Sequence, residues 1–190
     1  MANYDYDQMI YDAAISEGFS PTAAKLVVAQ ARLESADYTS NVFQNNYNMF
    51  GMKYIGQPLA NRGTAAPKSE QSCNLTCNSD YYAKYETPAD SARDVVGRLF
   101  KITRKGIGFN ELKDVTSATE YAQKLKQRDY FGVTAASYAL SLNAKLLKIT
   151  ALNFYNSNKT AINYIVIGAS LIGIGVYIYY LNAKGIIKLK

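Results

Sequence analysis

Apolar residues recur at helical spacing in five stretches of the chain, and a long stretch between the second and third lacks that spacing. Met9, Ile10, Ala13 and Ala14 predict a first helix over roughly Tyr6 to Glu17, stopped by Gly18. Ser20-Pro21, a capping residue followed by proline at the first turn, opens a second helix, which carries Leu26, Val27, Val28, Ala31 and Leu33 and ends near Ser35. Residues 39–86 lose the period and gain Asn, Gly, Ser, Pro and Tyr, which predicts loops and a hairpin with strands at Met49 to Tyr54 and Asp80 to Tyr85. Thr87-Pro88 with Asp90 starts a third helix bearing Val95, Val96, Leu99 and Phe100. Ser117 with Glu120 gives a capping box for a short fourth, and Tyr138, Leu142, Leu146, Leu147 and Leu152 mark a fifth over Thr134 to Phe154. The expectation is a helical domain with an inserted β-rich flap, an α+β arrangement with a cleft where flap meets helices.

Beyond it the pattern changes. Tyr155 to Thr160 is a short polar linker, and Thr160 to Ala183 is uncharged throughout, bracketed by Lys159 and Lys184. Roughly 20 helical residues match the ~30 Å hydrocarbon core of a bilayer, and Tyr164 at one end with Tyr177, Tyr179 and Tyr180 at the other suits the two interfaces. The organisation expected is a domain over 1–154, a linker over 155–160, one transmembrane helix over 161–182 and a basic tail over 183–190. The acidic opening Met1 to Asp7 does not resemble a signal peptide, which predicts a C-terminally anchored protein. Lysines flank the span on both sides, so its orientation stays open.

Charge and composition narrow the chemistry. The chain has 190 residues and a formal charge of +6, but residues 1–140 balance their acids and bases and the excess lies in the last 50. A neutral main domain argues against a nucleic-acid partner. Histidine is absent, which excludes Ser-His-Asp, Cys-His and His-metal chemistry and leaves acid–base work to carboxylates, Lys or Tyr. Ser35, Ser40 and Ser91 lack an evident activating base. Two cysteines without histidine do not make a zinc site, so neither metal nor cofactor is expected. Cys73 and Cys77 fit a short-loop disulfide on an extracytoplasmic flap, or two thiols on a cytoplasmic one; the bridge is favoured.

Glu34 ends the second helix where the chain breaks into a polar loop. Partial burial and the negative end of the helix dipole both disfavour its ionised form, so it can hold a proton near neutrality and donate it to a leaving oxygen. Residues 29–35, Ala-Gln-Ala-Arg-Leu-Glu-Ser, then Tyr38-Thr-Ser40, then Asn48-Met-Phe-Gly-Met-Lys53 resemble the AQAxLES…S…NxFGxK signature of the peptidoglycan N-acetylglucosaminidases of glycoside hydrolase family 73. Tyr82 to Tyr85 ahead of Ser91 and Asp94 is similar to the family's FRxY…SxxD stretch, and Tyr121 to Ala139 to its YAxxL…GYATDPxYA ending. The resemblance covers roughly residues 20–145.

It implies a lysozyme-like fold with a saccharide groove, cleavage beside N-acetylglucosamine, Glu34 as catalytic acid and a second carboxylate on the flap. Glu70 matches that second position best by spacing, ahead of Asp80 and Glu86. Tyr130, Phe50 and Tyr85 are the candidate substrate-binding aromatics. Asp37-Tyr38 replaces the usual Gly-Trp pair and Phe131-Gly-Val-Thr the usual Ala-Thr-Asp-Pro. The expected function is a membrane-anchored peptidoglycan hydrolase, with muramidase or lytic transglycosylase chemistry as neighbouring alternatives. A terminal anchor predicts a phage virion-associated lytic enzyme, in a virion membrane or the bacterial inner membrane with its domain facing the wall. Candidate partners are glycan strands, the bilayer and neighbouring virion proteins. The alternatives from other classes are an inactive wall-binding or virion structural protein and a pore-forming lysis protein.

Overall fold

The computed structural model describes residues 3–157, with side chains described from 5 to 149. Helices α1 (Asn3–Ser16) and α2 (Pro21–Glu34) pack together, joined by a turn in which Gly18 adopts φ +96°, a left-handed conformation that favours glycine. Ser20 caps α2 as its sequence predicts, its Oγ accepting from the Ala23 amide at 3.3 Å. The helix is the centre of the molecule: Ala23, Ala24 and Leu26 through Arg32 are all buried. Around it lie a short α3 (Asn41–Asn46), then α4 (Pro88–Arg93), α5 (Phe109–Leu112), α6 (Ala118–Gln127) and α7 (Ala135–Ser157). Phe19, Phe43, Val95, Val96, Phe100, Tyr121, Leu125 and Leu142 close one core around α2, and each large apolar side chain so buried contributes about 1.5–3 kcal/mol.

The flap is a two-stranded antiparallel hairpin, β1 (Ala60–Ala65) against β2 (Tyr81–Tyr85), in register Ala60 with Tyr85 and Arg62 with Ala83, with a bulge before Ala65 pairs with Tyr81. Its second strand lies where the sequence predicts; its first does not. Met49 to Tyr54, expected as a strand, contributes a single bridge between Lys53 and Tyr82. Two backbone bonds tie it to β2, from the Tyr54 amide to the Tyr81 carbonyl at 2.8 Å and from the Ala83 amide to the Met52 carbonyl at 2.9 Å, while the Met49 amide donates to Ser91 Oγ at 3.2 Å and the Met52 amide to Asn48 Oδ1 at 2.9 Å. Side chains thus take up amides that a longer strand would have paired with backbone.

Other expectations shift by less. The helix opened by Thr87 has the predicted capping box but continues from Arg93 as a π-helical turn over Asp94–Leu99. Helix α6 starts at its Ser117 cap, yet Glu120 turns its carboxylate to the Thr116 amide rather than back to Ser117. Helix α7 extends through Ser157, into the segment read as linker, and the compact unit that holds the site is residues 1–149. The predicted span over 161–182 and the tail over 183–190 lie outside the described residues; among the described ones no helix is long and apolar enough to cross a membrane.

Candidate active site

Glu34 is the last residue of α2, and the turn after it is built with unusual rigidity. Ala36, Asp37 and Tyr38 take φ values of 51°, 54° and 68°, three consecutive non-glycine residues in the left-handed region, a conformation costing about 1–2 kcal/mol at each. A buried cluster holds it there. Asp7 of α1 accepts from Arg32 Nε at 2.8 Å and Nη2 at 2.7 Å, and from the Tyr38 hydroxyl at 2.7 Å. Ser35 Oγ donates to the Ala31 carbonyl at 2.6 Å and accepts from the Tyr38 amide at 3.0 Å. Asp37 accepts from Lys145 of α7 at 2.6 Å. Within four residues of Glu34, then, the turn is tied by side chains to both α1 and α7.

The Glu34 side chain is open to solvent on one side and crowded by protein on the others. Its Oε1 accepts from the Tyr138 hydroxyl of α7 at 2.7 Å. Crowding raises its pKa above the usual carboxylate range, and the Tyr138 hydrogen bond opposes that rise. Tyr138 is itself buried and stacks on Phe131 with ring centroids 3.9 Å apart. The departure from the family pattern at Phe131 therefore supports the ring that touches Glu34. Tyr130 is half-buried beside this pair, its hydroxyl pKa raised by burial and then by the Glu34 charge. Behind it the Tyr121 hydroxyl donates to Gln30 Oε1 at 2.7 Å.

Glu70 stands on the flap, in a single 3-10 turn, Lys68–Glu70, between the two strands. Its Oε2 accepts from Lys53 Nζ at 2.7 Å and from the Tyr82 hydroxyl at 2.9 Å. These bonds, that from Lys53 first, lower its pKa, so it is an ionised carboxylate across the neutral range. The two carboxyl groups are thus driven in opposite directions by their surroundings. A cleft of about 360 Å³ opens between α3 and the hairpin, lined by Asn41, Val42, Asn45, Thr64, Ala66 and Tyr82.

Of the other predicted site residues, two are corrected. Phe50 is 5% exposed and Tyr85 1% exposed, so neither ring has a face to offer a sugar. Tyr85 instead donates to Asp94 at 2.7 Å, and Asp94 also binds Arg98 and, at 3.4 Å, Gln57 Nε2. Asn48 bridges the same seam, donating to the Met52 and Ala83 carbonyls at 2.8 and 2.9 Å. The motif residues Asn48, Ser91 and Asp94 are therefore latches between flap and helices. Asp80 is fully buried, its carboxylate taken up by the amides of Ser72, Cys73 and Leu75 and by Ser72 Oγ, which leaves it no role as second carboxylate. Glu86 lies past the end of β2 and lines a surface hollow with Pro58 and Asp90. Cys73 and Cys77 are joined as a disulfide inside the loop that Asp80 organises. Among the described residues no cluster of three His, Cys, Asp or Glu side chains is placed to hold a metal.

Three contacts escaped sequence reasoning: Tyr138 on Glu34, and Lys53 and Tyr82 on Glu70. All three lie inside the matched motifs, and the absence of histidine marked Tyr and Lys as the remaining proton-bearing partners.

The model of a family described as mannosyl-glycoprotein endo-beta-N-acetylglucosaminidase matches residues 9–160. No curated protein matches the chain in sequence. Among solved structures, the chain is similar to a type VI secretion system effector–immunity complex from Pseudomonas protegens, with a TM-score of 0.56 and 18% identity, covering 78% of this chain and 91% of that one. It is also similar to the catalytic domain of the autolysin Auto from Listeria monocytogenes, with a TM-score of 0.51, 21% identity and coverage of 78% and 82%. At such identities the structural likeness speaks for the fold alone; the sequence match over most of its length makes this chain a member of the glucosaminidase family of glycoside hydrolases.

Proposed function

We propose that the protein cleaves the glycan strand of peptidoglycan beside N-acetylglucosamine, with Glu34 as general acid and Glu70 as the second carboxylate. The observation that carries this reading is the opposed environment of the two groups: Glu34 is pushed toward its protonated form by crowding, and Glu70 toward its ionised form by Lys53 and Tyr82. A pair so divided is what glycoside hydrolysis uses. Glu34 gives its proton to the bridging oxygen as the C1–O bond breaks, positive charge develops at C1, and the Glu70 carboxylate stabilises that charge or orients the water that adds to C1. The water's hydroxyl completes the new reducing end and its remaining proton restores Glu34 or passes to Glu70. In this reading Tyr130, half-buried beside Glu34, presents its ring to a sugar.

Purified protein on isolated sacculi, followed by mass spectrometry of the fragments, is the test. Reducing N-acetylglucosamine ends support the reading; reducing muramic ends would make the enzyme a muramidase and anhydro-muramic ends a transglycosylase. Glu34→Gln should abolish the release of fragments, and unchanged release would reduce the domain to wall binding.

The uncharged run from Thr160 to Ala183 supports a further part of this reading, that a single-pass segment over 161–182 holds the enzyme at a bilayer beside the wall. Detergent-phase partitioning that disappears when residues 161–190 are removed is the check. In a virion membrane the same segment would bring the enzyme to the wall during entry, for which the chain must be present in purified particles. Dye leakage from liposomes, with no glycan cleaved, would instead favour a pore.

A further inference from the structure

We propose that Lys53 and Tyr82 are positioning residues that together hold one oxygen of Glu70 and leave the other to meet the substrate's water or the charge at C1. The inference rests on the reading of Glu70 as second carboxylate. Glu70 has little else to fix it. None of the three residues of its 3-10 turn is buried, and the turn is closed locally by the Glu70 amide on the Pro67 carbonyl at 2.8 Å. An exposed glutamate on such a turn would sample several rotamers, and ordering it costs side-chain entropy.

Lys53 and Tyr82 meet that cost before substrate arrives. They are bridge partners across antiparallel backbone, so their side chains leave the same face side by side. The ammonium lies 4.3 Å from the centre of the Tyr82 ring, which steadies both. Their two donors converge on the same atom, Oε2, at 2.7 and 2.9 Å, and no described residue hydrogen-bonds Oε1. A carboxylate gripped by one oxygen keeps its full acceptor capacity on the other. The grip is anchored to the rest of the fold: Gln57 Nε2 donates to the Lys53 carbonyl at 3.1 Å and reaches Asp94 of the seam. The charged and titratable groups that face Glu70 from the packed elements are Lys53, ahead of β1, and Tyr82, on β2. Lys68 stands on its own turn. The Tyr82 hydroxyl is pushed up to about 12 by burial and then by Glu70, so it remains a donor throughout the working range.

The experiment measures kcat, KM and their pH dependence on glycan strands for the full chain and four variants, each with its circular dichroism and Tm recorded. Lys53→Met should lower kcat by about ten- to hundredfold, a fraction of what general acid–base catalysis contributes, with KM within about twofold. It should also move the acid limb of the profile to higher pH, because Glu70 loses the charge that keeps it ionised. Lys53→Arg should restore most of the rate. Tyr82→Phe, which removes only a hydroxyl, should shift the same limb in the same direction by less, and decides the matter if Lys53→Met does not fold. Loss of activity in Glu70→Gln with kcat and acid limb unmoved in Tyr82→Phe and Lys53→Met overturns the positioning role alone. Full activity in Glu70→Gln overturns the assignment of Glu70 and, with it, this proposal.

Discussion

The hydrogen bond from Tyr138 to Glu34 offers a sharp test of the general-acid assignment, because its removal should change a pH limb and little else. Tyr138→Phe deletes the hydroxyl that lies 2.7 Å from Oε1 and keeps the ring that stacks on Phe131. In the wild type this bond favours the ionised form of Glu34, against the crowding that disfavours it. Without it, Glu34 keeps its proton to higher pH. A hydrogen bond to a charged acceptor is worth about 1.5–3 kcal/mol; water reaches one side of Glu34, so the lower end applies. About 1.4 kcal/mol is a factor of ten. The basic limb of kcat/KM, where the acid loses its proton, should therefore move up by about one pH unit, with less than about tenfold loss at the optimum. Tm should stay within about 2 °C, since the ring's packing survives. The assay is initial rate of fragment release across the pH range on sacculi, at substrate well below KM. A basic limb that stays in place, or that moves down in a folded variant, would refute Glu34 as the proton donor.

Three further outcomes follow from the scaffold. Asp7→Ala strands the buried Arg32 guanidinium and should cost about 3–5 kcal/mol in urea unfolding; a loss under about 1 kcal/mol would show that Arg32 finds Asp37 instead. Ala36→Gly relieves a left-handed residue at φ 51° and should add about 0.5–1 kcal/mol, where an ordinary exposed alanine would lose stability on the same change. Replacing Cys73 and Cys77 by serine opens a loop of four-residue separation, for which chain closure contributes at most about 2 kcal/mol. Because Asp80 already gathers the amides of Ser72, Cys73 and Leu75, the loss measured by thermal melts should fall below that figure.

What could be read from the residues divides along physical lines. Helix α2 was legible to its ends because its signals are local: a serine and a proline at one end, a broken period at the other. Strand β1 was not, because Ala60 to Ala65 is an exposed edge with no alternation, and its Gly63 is present for a different reason, the close approach of the Asn46 side chain, which any Cβ would strike. Met49 to Tyr54 looked like a strand because it is apolar, yet it is apolar to fill the core, with Met49 0% exposed. The site shows the same division. The proposed roles of Glu34, from its helix and motif, and of Glu70, from spacing, rest on such local signals. The grip on Glu70 joins residues 17 and 12 positions apart through a hairpin whose register no local signal sets. Phe50 and Tyr85 were misread because a residue can mark a family by its packing as well as by its contact with substrate.

That last point reaches beyond this chain. Asn48, Ser91 and Asp94, which make such sequences recognisable, fasten the two lobes and touch neither carboxylate. A descendant that gave up hydrolysis but still had to fold would retain every one of them. Surveys that count lytic enzymes by these signatures will therefore tally silent copies alongside working ones, and on the mechanism proposed above positions 34, 53 and 70 are where the two would differ.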